Sequence, residues 1–161
     1  MPKIIAFVGG SNSGKTTLIQ KIVPVLKKRG YSLCVIKHIH GDLQLDKKGK
    51  DTDKFRRAGA DMVMMQNKNT LAMVKKIKKE EKIEEIIKKH GHEYDLVIVE
   101  GFKKSNLSQI WVYSDNTDVK IDRKKIIAVA GKKVAGLSVT VFGKRDFKAI
   151  ADFIEKNIIQ K

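Results

Sequence analysis

Gly9-Gly10-Ser11-Asn12-Ser13-Gly14-Lys15-Thr16, set between the apolar run Ile4-Ile5-Ala6-Phe7-Val8 and a helical pattern, decides the fold class of this chain. Glycines at both ends let the backbone curl until successive N–H groups face one point, and the helix that follows adds the positive end of its dipole. That is the layout of a phosphate-binding P-loop. In such a loop Lys15 reaches the β/γ-phosphates and the Thr16 hydroxyl holds Mg²⁺. The competing reading is a glycine- and serine-rich turn with no ligand. The position between a buried-type strand and an amphipathic helix favours the phosphate loop.

With 161 residues, 42% of them hydrophobic, the chain can bury one core but hardly two, so one domain over residues 1–161 is expected. No stretch approaches the roughly 18 consecutive apolar residues of a membrane helix, and the N-terminus lacks a signal-peptide pattern. A cytoplasmic, non-membrane protein is therefore expected. Cys34 is the one cysteine and lies in Leu33-Cys34-Val35-Ile36, where it fills core space and cannot staple the domain. The formal charge of +16, from 34 Lys+Arg against 18 Asp+Glu, favours anionic partners: nucleotides, phosphorylated small molecules, nucleic acid or an acidic protein.

Downstream of the loop, Leu18, Ile22, Val25 and Leu26 recur at helical spacing as far as Gly30, with Pro24 inside the helix freeing the Gln20 carbonyl and predicting a kink or a solvated carbonyl. Ser32–Lys37 is a short strand, and residues 38–50 form a polar loop. The pattern then predicts a helix over Asp51–Ala60, strands over Asp61–Gln66 and Leu71–Val74, and a hairpin turn at Asn67-Lys68-Asn69. Glu80–His90 is a helix with Ile83, Ile86 and Ile87 on one face and Glu84/Lys88 and Glu85/Lys89 pairs outside. Its lysines thus solvate a helix face. Tyr94–Val99, Ile110–Tyr113, Ile126–Ala130 and Val139–Phe142 are strands, and a last helix carries Phe147, Ile150, Ile154 and Ile158 on one side with Asp146 as its cap. Alternating strands and helices predict an α/β three-layer sandwich of the P-loop NTPase kind, built around a mainly parallel sheet with an antiparallel hairpin element.

Asp95-Leu96-Val97-Ile98-Val99-Glu100-Gly101 is an apolar strand that ends in a carboxylate, as a Walker-B element does, and Glu100 at its C-terminal end is the candidate for Mg²⁺ or its water. Lys37-His38-Ile39-His40-Gly41-Asp42 gathers two imidazoles, a carboxylate and an ammonium; zinc binding, a switch near phosphate and plain solvation all fit it. Gly49-Lys50-Asp51-Thr52-Asp53 opens a helix with capping residues, and Asp51 is also a candidate Mg²⁺ partner. Asn67-Lys68-Asn69-Thr70 lacks the aspartate of an Asn-Lys-x-Asp guanine reader and precedes the Walker-B strand, so it is rejected as one. Loops at Asp115–Asp118 and Gly131-Lys132-Lys133 stand where a base reader can sit, without a decisive pattern. Trp111 in the strand after Glu100 either stacks on a planar ligand or fills the core, and the core reading is favoured.

The loop Gly9 to Thr17, Lys37-His38, Gly49-Lys50-Asp51-Thr52 followed by Arg57-Ala58-Gly59-Ala60, and Val99-Glu100-Gly101-Phe102-Lys103 occur in an order and spacing that resemble the molybdopterin-guanine dinucleotide biosynthesis protein B (MobB) family. The resemblance covers about two thirds of the chain. It implies a GTP-binding P-loop protein of the signal-recognition-particle/MinD/BioD class, a homodimer and weak GTPase. Such a protein assists the guanylyltransferase partner that attaches GMP to molybdopterin, giving molybdopterin guanine dinucleotide. By the same resemblance, Gly9, Gly10, Ser11, Asn12, Ser13, Gly14, Lys15, Thr16 and Thr17 bind the nucleotide. Lys15 and Glu100 carry the chemistry, Thr16, Glu100 and Asp51 serve Mg²⁺, and an anionic pterin phosphate is a possible further ligand. The histidine-rich loop of the family is thinned here to His38 and His40, and 104–109 lacks an expected proline. Two other classes compete: a P-loop small-molecule kinase using ATP, and a basic nucleic-acid binder. The second rests on charge alone and has no aromatic-interleaved basic motif.

Overall fold

A computed structural model of the chain describes residues 2–39, 41, 49–115 and 121–161. In chain order the elements are β1 (Lys3–Val8), α1 (Lys15–Lys28), β2 (Leu33–Lys37), α2 (Asp51–Arg57), β3 (Met62–Gln66), β4 (Leu71–Lys75), α3 (Ile83–His90), β5 (Leu96–Glu100), β6 (Gln109–Val112), β7 (Ile126–Ala130), β8 (Thr140–Phe142) and α4 (Phe147–Ile154). They form two compact units, Met1–His38 with Lys82–Lys161, and Ile39–Glu81.

The larger unit holds a six-stranded sheet in the order β2-β5-β1-β6-β7-β8, every neighbouring pair parallel. β1 explains the layering. Ile5 and Phe7 point to one face, where they pack with Leu18, Ile19, Ile22 and Leu26 of α1 and Ile150, Ala151 and Ile154 of α4. Ala6 and Val8 point to the other, with Val97, Val99 and the α3 residues Ile83 and Ile87. All four of these β1 side chains are fully buried. Strands covered on both sides lose the polar alternation of a half-exposed strand, which is why β1 and β5 are apolar runs. Each buried Ile, Leu or Phe adds about 1.5–3 kcal/mol.

α1 runs unbroken through Pro24. Gln20 and Pro24 are both exposed, so the carbonyl deprived of its bond lies on the solvent side, as the second of the two expectations had it. Gly30, at φ 92°, ends the helix region. β5 begins at Leu96 and not at Tyr94 because Asp95 is used elsewhere. Its carboxylate accepts the Ser32 N–H and hydroxyl, both at 2.7 Å, while its own N–H donates to Ser32 Oγ at 3.0 Å. This clasp ties the start of β2 to the start of β5. α3 starts at Ile83, after an extended Lys82. Asp146 stands at the N-cap of α4 as expected, its carbonyl accepting the Ile150 N–H at 2.9 Å, but its carboxylate accepts the Gly143 N–H at 2.7 Å and makes no side-chain cap bond to the helix.

In the smaller unit β3 and β4 pair antiparallel, Met64 opposite Met73. Asn67 makes the turn as expected, its N–H donating to Thr70 O at 2.9 Å and its Oδ1 accepting from Asn69 N at 2.9 Å. α2 ends at Arg57, three residues short of the expected limit, and Gly59 follows at φ 108°. The cap position of its entry is Lys50, with no side-chain cap bond. Asp53 instead reaches back to accept the Gly49 N–H at 3.0 Å and also takes Arg57 Nε at 2.9 Å.

Candidate functional site

The turn from β1 into α1 carries three residues with positive φ. Asn12 (φ 58°) and Gly14 (φ 96°) are left-handed, and Gly9 has φ 155°. A Cβ on Gly9 would stand 2.4 Å from Val112 O and 2.8 Å from Ser13 Oγ, so only glycine fits there. Ser13 is buried, whereas Ser11, Asn12 and Thr17 are exposed. Gly14 occupies the N-cap of α1 without a side chain to cap it, and the first turn holds no acidic residue. The start of this helix thus keeps its positive potential.

Lys15 folds back over the loop that precedes it. Its Nζ donates to Gly10 O at 2.5 Å, Gly9 O at 3.2 Å and Ser13 Oγ at 3.5 Å. Burial pushes its pKa below the usual lysine value, Glu100 opposes that shift and Lys37 adds to it. Burial and the neighbouring cation thus disfavour the charged form even with these three acceptors, and an added anion would favour it.

Glu100 is the centre of the arrangement. It ends β5 in register with Phe7 on β1 and Lys37 on β2, and it is buried at 7% exposure. Thr16 Oγ1 donates to Glu100 Oε1 at 2.7 Å across 84 residues of sequence. Lys37 Nζ lies 3.3 Å from the same oxygen and donates to Thr16 Oγ1 at 3.2 Å. A buried carboxylate needs such partners, and a hydrogen bond to a charged group is worth about 1.5–3 kcal/mol. A hydroxyl beside a carboxylate is also a hard-oxygen donor set of the kind Mg²⁺ takes. The turn beyond is compact: Gly101 (φ 95°) donates to Phe7 O at 3.0 Å, His38 N donates to Glu100 O at 2.9 Å, and the His38 ring tilts against Phe102 at 4.6 Å.

Of the residues expected at the site, the loop, Lys15, Thr16 and Glu100 come together. Asp51 belongs to the smaller unit, where its carboxylate accepts Lys54 Nζ at 3.1 Å. His40, Asp42 and 116–118 lie outside the described residues, and among the described residues no group of three or more His, Cys, Asp or Glu side chains is placed to hold a metal. Cys34 and Trp111 are partly buried against the core on the α3 side, and burial pushes the Cys34 thiol pKa up. Lys37 was singled out in its loop, but its contact with Thr16 and Glu100 was not foreseen. Its signal was the last position of a strand, which means something only once β2 is known to pair with β5.

Comparison with known proteins places the chain in a family. The pattern of the family described as MobB, Molybdopterin guanine dinucleotide synthesis protein B, matches residues 4–132. A molybdopterin-guanine dinucleotide biosynthesis adapter protein of Escherichia coli (strain K12) is 33% identical, over 96% of this chain and 92% of the relative. A protein of the same description from Haemophilus influenzae is 31% identical, over 94% and 87%. Among solved structures, a molybdopterin-guanine biosynthesis protein B superposes with a TM-score of 0.73 at 29% identity, covering 95% of this chain and 98% of that one. Bacillus subtilis MobB gives 0.79 at 24% identity, with 99% of both chains covered, a likeness of fold.

Proposed function

The chain belongs to the molybdopterin guanine dinucleotide synthesis protein B family, and on that premise we propose that it is a GTP-binding P-loop adapter that assists attachment of GMP to molybdopterin. The observation that carries the nucleotide part is the Thr16–Glu100 contact at 2.7 Å beside a Lys15 ammonium folded into the Gly9–Thr16 curl. In the proposed complex Lys15 leaves its carbonyl partners for the β/γ-phosphates, and the backbone N–H groups of the loop and of the first turn of α1 take the remaining oxygens. Thr16 and Glu100 hold Mg²⁺, which would supply charge neutralisation on the phosphates. Glu100 also keeps positive charge nearby, through Lys15 and Lys37.

Hydrolysis of the bound GTP is weak in this reading, because Lys15 and backbone N–H groups carry the transition-state charge without an arginine. Arg29 is engaged by Asp152 and Glu155, and Arg123 by Ala135 O. The active form is a cytoplasmic homodimer, and the exposed apolar face of β3 and β4 (Met62, Met64, Leu71, Met73) supports pairing of two copies. The partner is the guanylyltransferase that makes the dinucleotide, and the charge of +16 suits an anionic pterin phosphate passing between them. The test is dinucleotide formation by that transferase from molybdopterin, GTP and Mg²⁺. Added wild-type protein should raise the yield several-fold, and Lys15→Ala should remove the gain. Equal stimulation by Lys15→Ala would sink the proposal.

A further inference from the structure

A second group of polar side chains lies at the same end of the sheet as the Gly9–Thr16 loop and takes no part in the Thr16–Glu100 contact. The ends of β6, β7 and β8 are joined there: Tyr113 N donates to Ala130 O at 3.0 Å and Gly131 N to Phe142 O at 2.7 Å. Beyond them opens a pocket of about 380 Å³ lined by Tyr113, Ser114, Asp115, Gly131, Lys132 and Lys144. Crevices outside the carboxyl ends of parallel strands are where ligands of such sheets bind. The pocket adjoins the loop directly. Gly9 approaches Val112 O so closely that no side chain fits between, and the next residue is Tyr113, on the pocket wall. Gly131 (φ 137°) would place a Cβ 3.2 Å from both Cβ and O of Tyr113, so glycine suits this tight passage, and Lys144 lines the same pocket.

Asp115 and Lys132 give the pocket its chemistry. Lys132 Nζ donates to Asp115 Oδ2 at 2.7 Å, with side chains 73% and 59% exposed, so the pair separates at little cost. The Lys132 hydrogen bond, with further help from Tyr113 and Lys144, holds the Asp115 carboxyl below the usual carboxylate range. It is therefore an acceptor only. Guanine presents an acceptor, O6, followed by two donors, N1–H and N2–H₂. Adenine presents one donor followed by the acceptor N1, which faces a carboxylate unfavourably.

We infer that this pocket holds the guanine base, with the two Asp115 oxygens accepting from N1–H and N2–H₂ and the Lys132 ammonium donating to O6. The inference rests on the nucleotide reading above and adds the residues that choose the base. On this inference a chain without an Asn-Lys-x-Asp motif reads guanine with an aspartate after β6 and a lysine after β7 that meet across a joined strand end.

The test is calorimetric titration of the wild type and Asp115→Asn, each with GTP, ITP, XTP and ATP in Mg²⁺. The wild type should bind GTP about tenfold to a hundredfold more tightly than ITP, which lacks the 2-amino group, and than ATP. Asp115→Asn should lose that margin and prefer XTP, whose C2 carbonyl accepts from the new amide. Equal binding of GTP and ITP by the wild type, or an unchanged GTP-to-XTP ratio in Asp115→Asn, overturns the base site and leaves nucleotide binding standing. A wild type that binds none of the four overturns both. If circular dichroism shows Asp115→Asn unfolded, the wild-type GTP-to-ITP ratio decides alone.

Discussion

Glu100 shows how one buried carboxylate organises a site. Its oxygen takes a hydroxyl from the first turn of α1 and an ammonium from the end of β2, two segments with no reason to meet until the sheet forms. Glu100→Gln keeps shape and an acceptor for Thr16 while removing the charge. On the proposed mechanism it should lower the Mg²⁺-dependent part of GTP affinity by about tenfold to a hundredfold, matching a lost charged interaction of about 1.5–3 kcal/mol. Titration of GTP against Glu100→Gln with and without Mg²⁺ measures this. Mg²⁺ strengthening the variant as much as the wild type would remove Glu100 from the metal site. Glu100 and the Gly9–Thr16 loop were legible in the sequence because each is a local pattern: an apolar run closed by a carboxylate, and glycines at fixed spacing before a helix. The loops of Lys37, Asp115 and Lys132 were singled out, but the Lys37–Glu100 and Asp115–Lys132 contacts were not legible, because each depends on which strands lie side by side.

The elements were legible where burial is two-sided and continuous. β1, β5 and β7 are apolar runs, and hydrophobic periodicity places α1 and α4 within a few residues. Their ends were less so, because capping is decided by geometry: the Asp146 carboxylate turns to Gly143, and the Asp53 carboxylate reaches back to Gly49 at the start of α2. The hairpin raises a different question. Alternation along β3 and β4 buries Val63 and leaves Met62, Met64, Leu71 and Met73 outward. A lone two-stranded ribbon with one apolar side exposed is marginal in water and open to association. If that side joins two copies, Met64→Lys combined with Met73→Lys puts two charges opposite each other in the seam. Sedimentation equilibrium should then give a monomer where the wild type gives a dimer, with unchanged circular dichroism. A double variant that remains a dimer would place the seam elsewhere.

Across the chain, the excess of basic residues is compatible with several anionic partners, and the site narrows them. A nucleic-acid binder needs neither a Thr16–Glu100 contact nor a lysine folded into a glycine curl. A nucleotide triphosphate adapter uses both. Family membership covering residues 4–132 takes in the loop, Glu100 and the β7 strand end, while Lys144 lies beyond it. The most direct test of the central claim is calorimetric titration of GTP and ATP, each with and without Mg²⁺, on the wild type and on Lys15→Ala. Mg²⁺-dependent binding that favours GTP and disappears in Lys15→Ala is the predicted result; binding that survives Lys15→Ala, or no binding of either nucleotide, would contradict it.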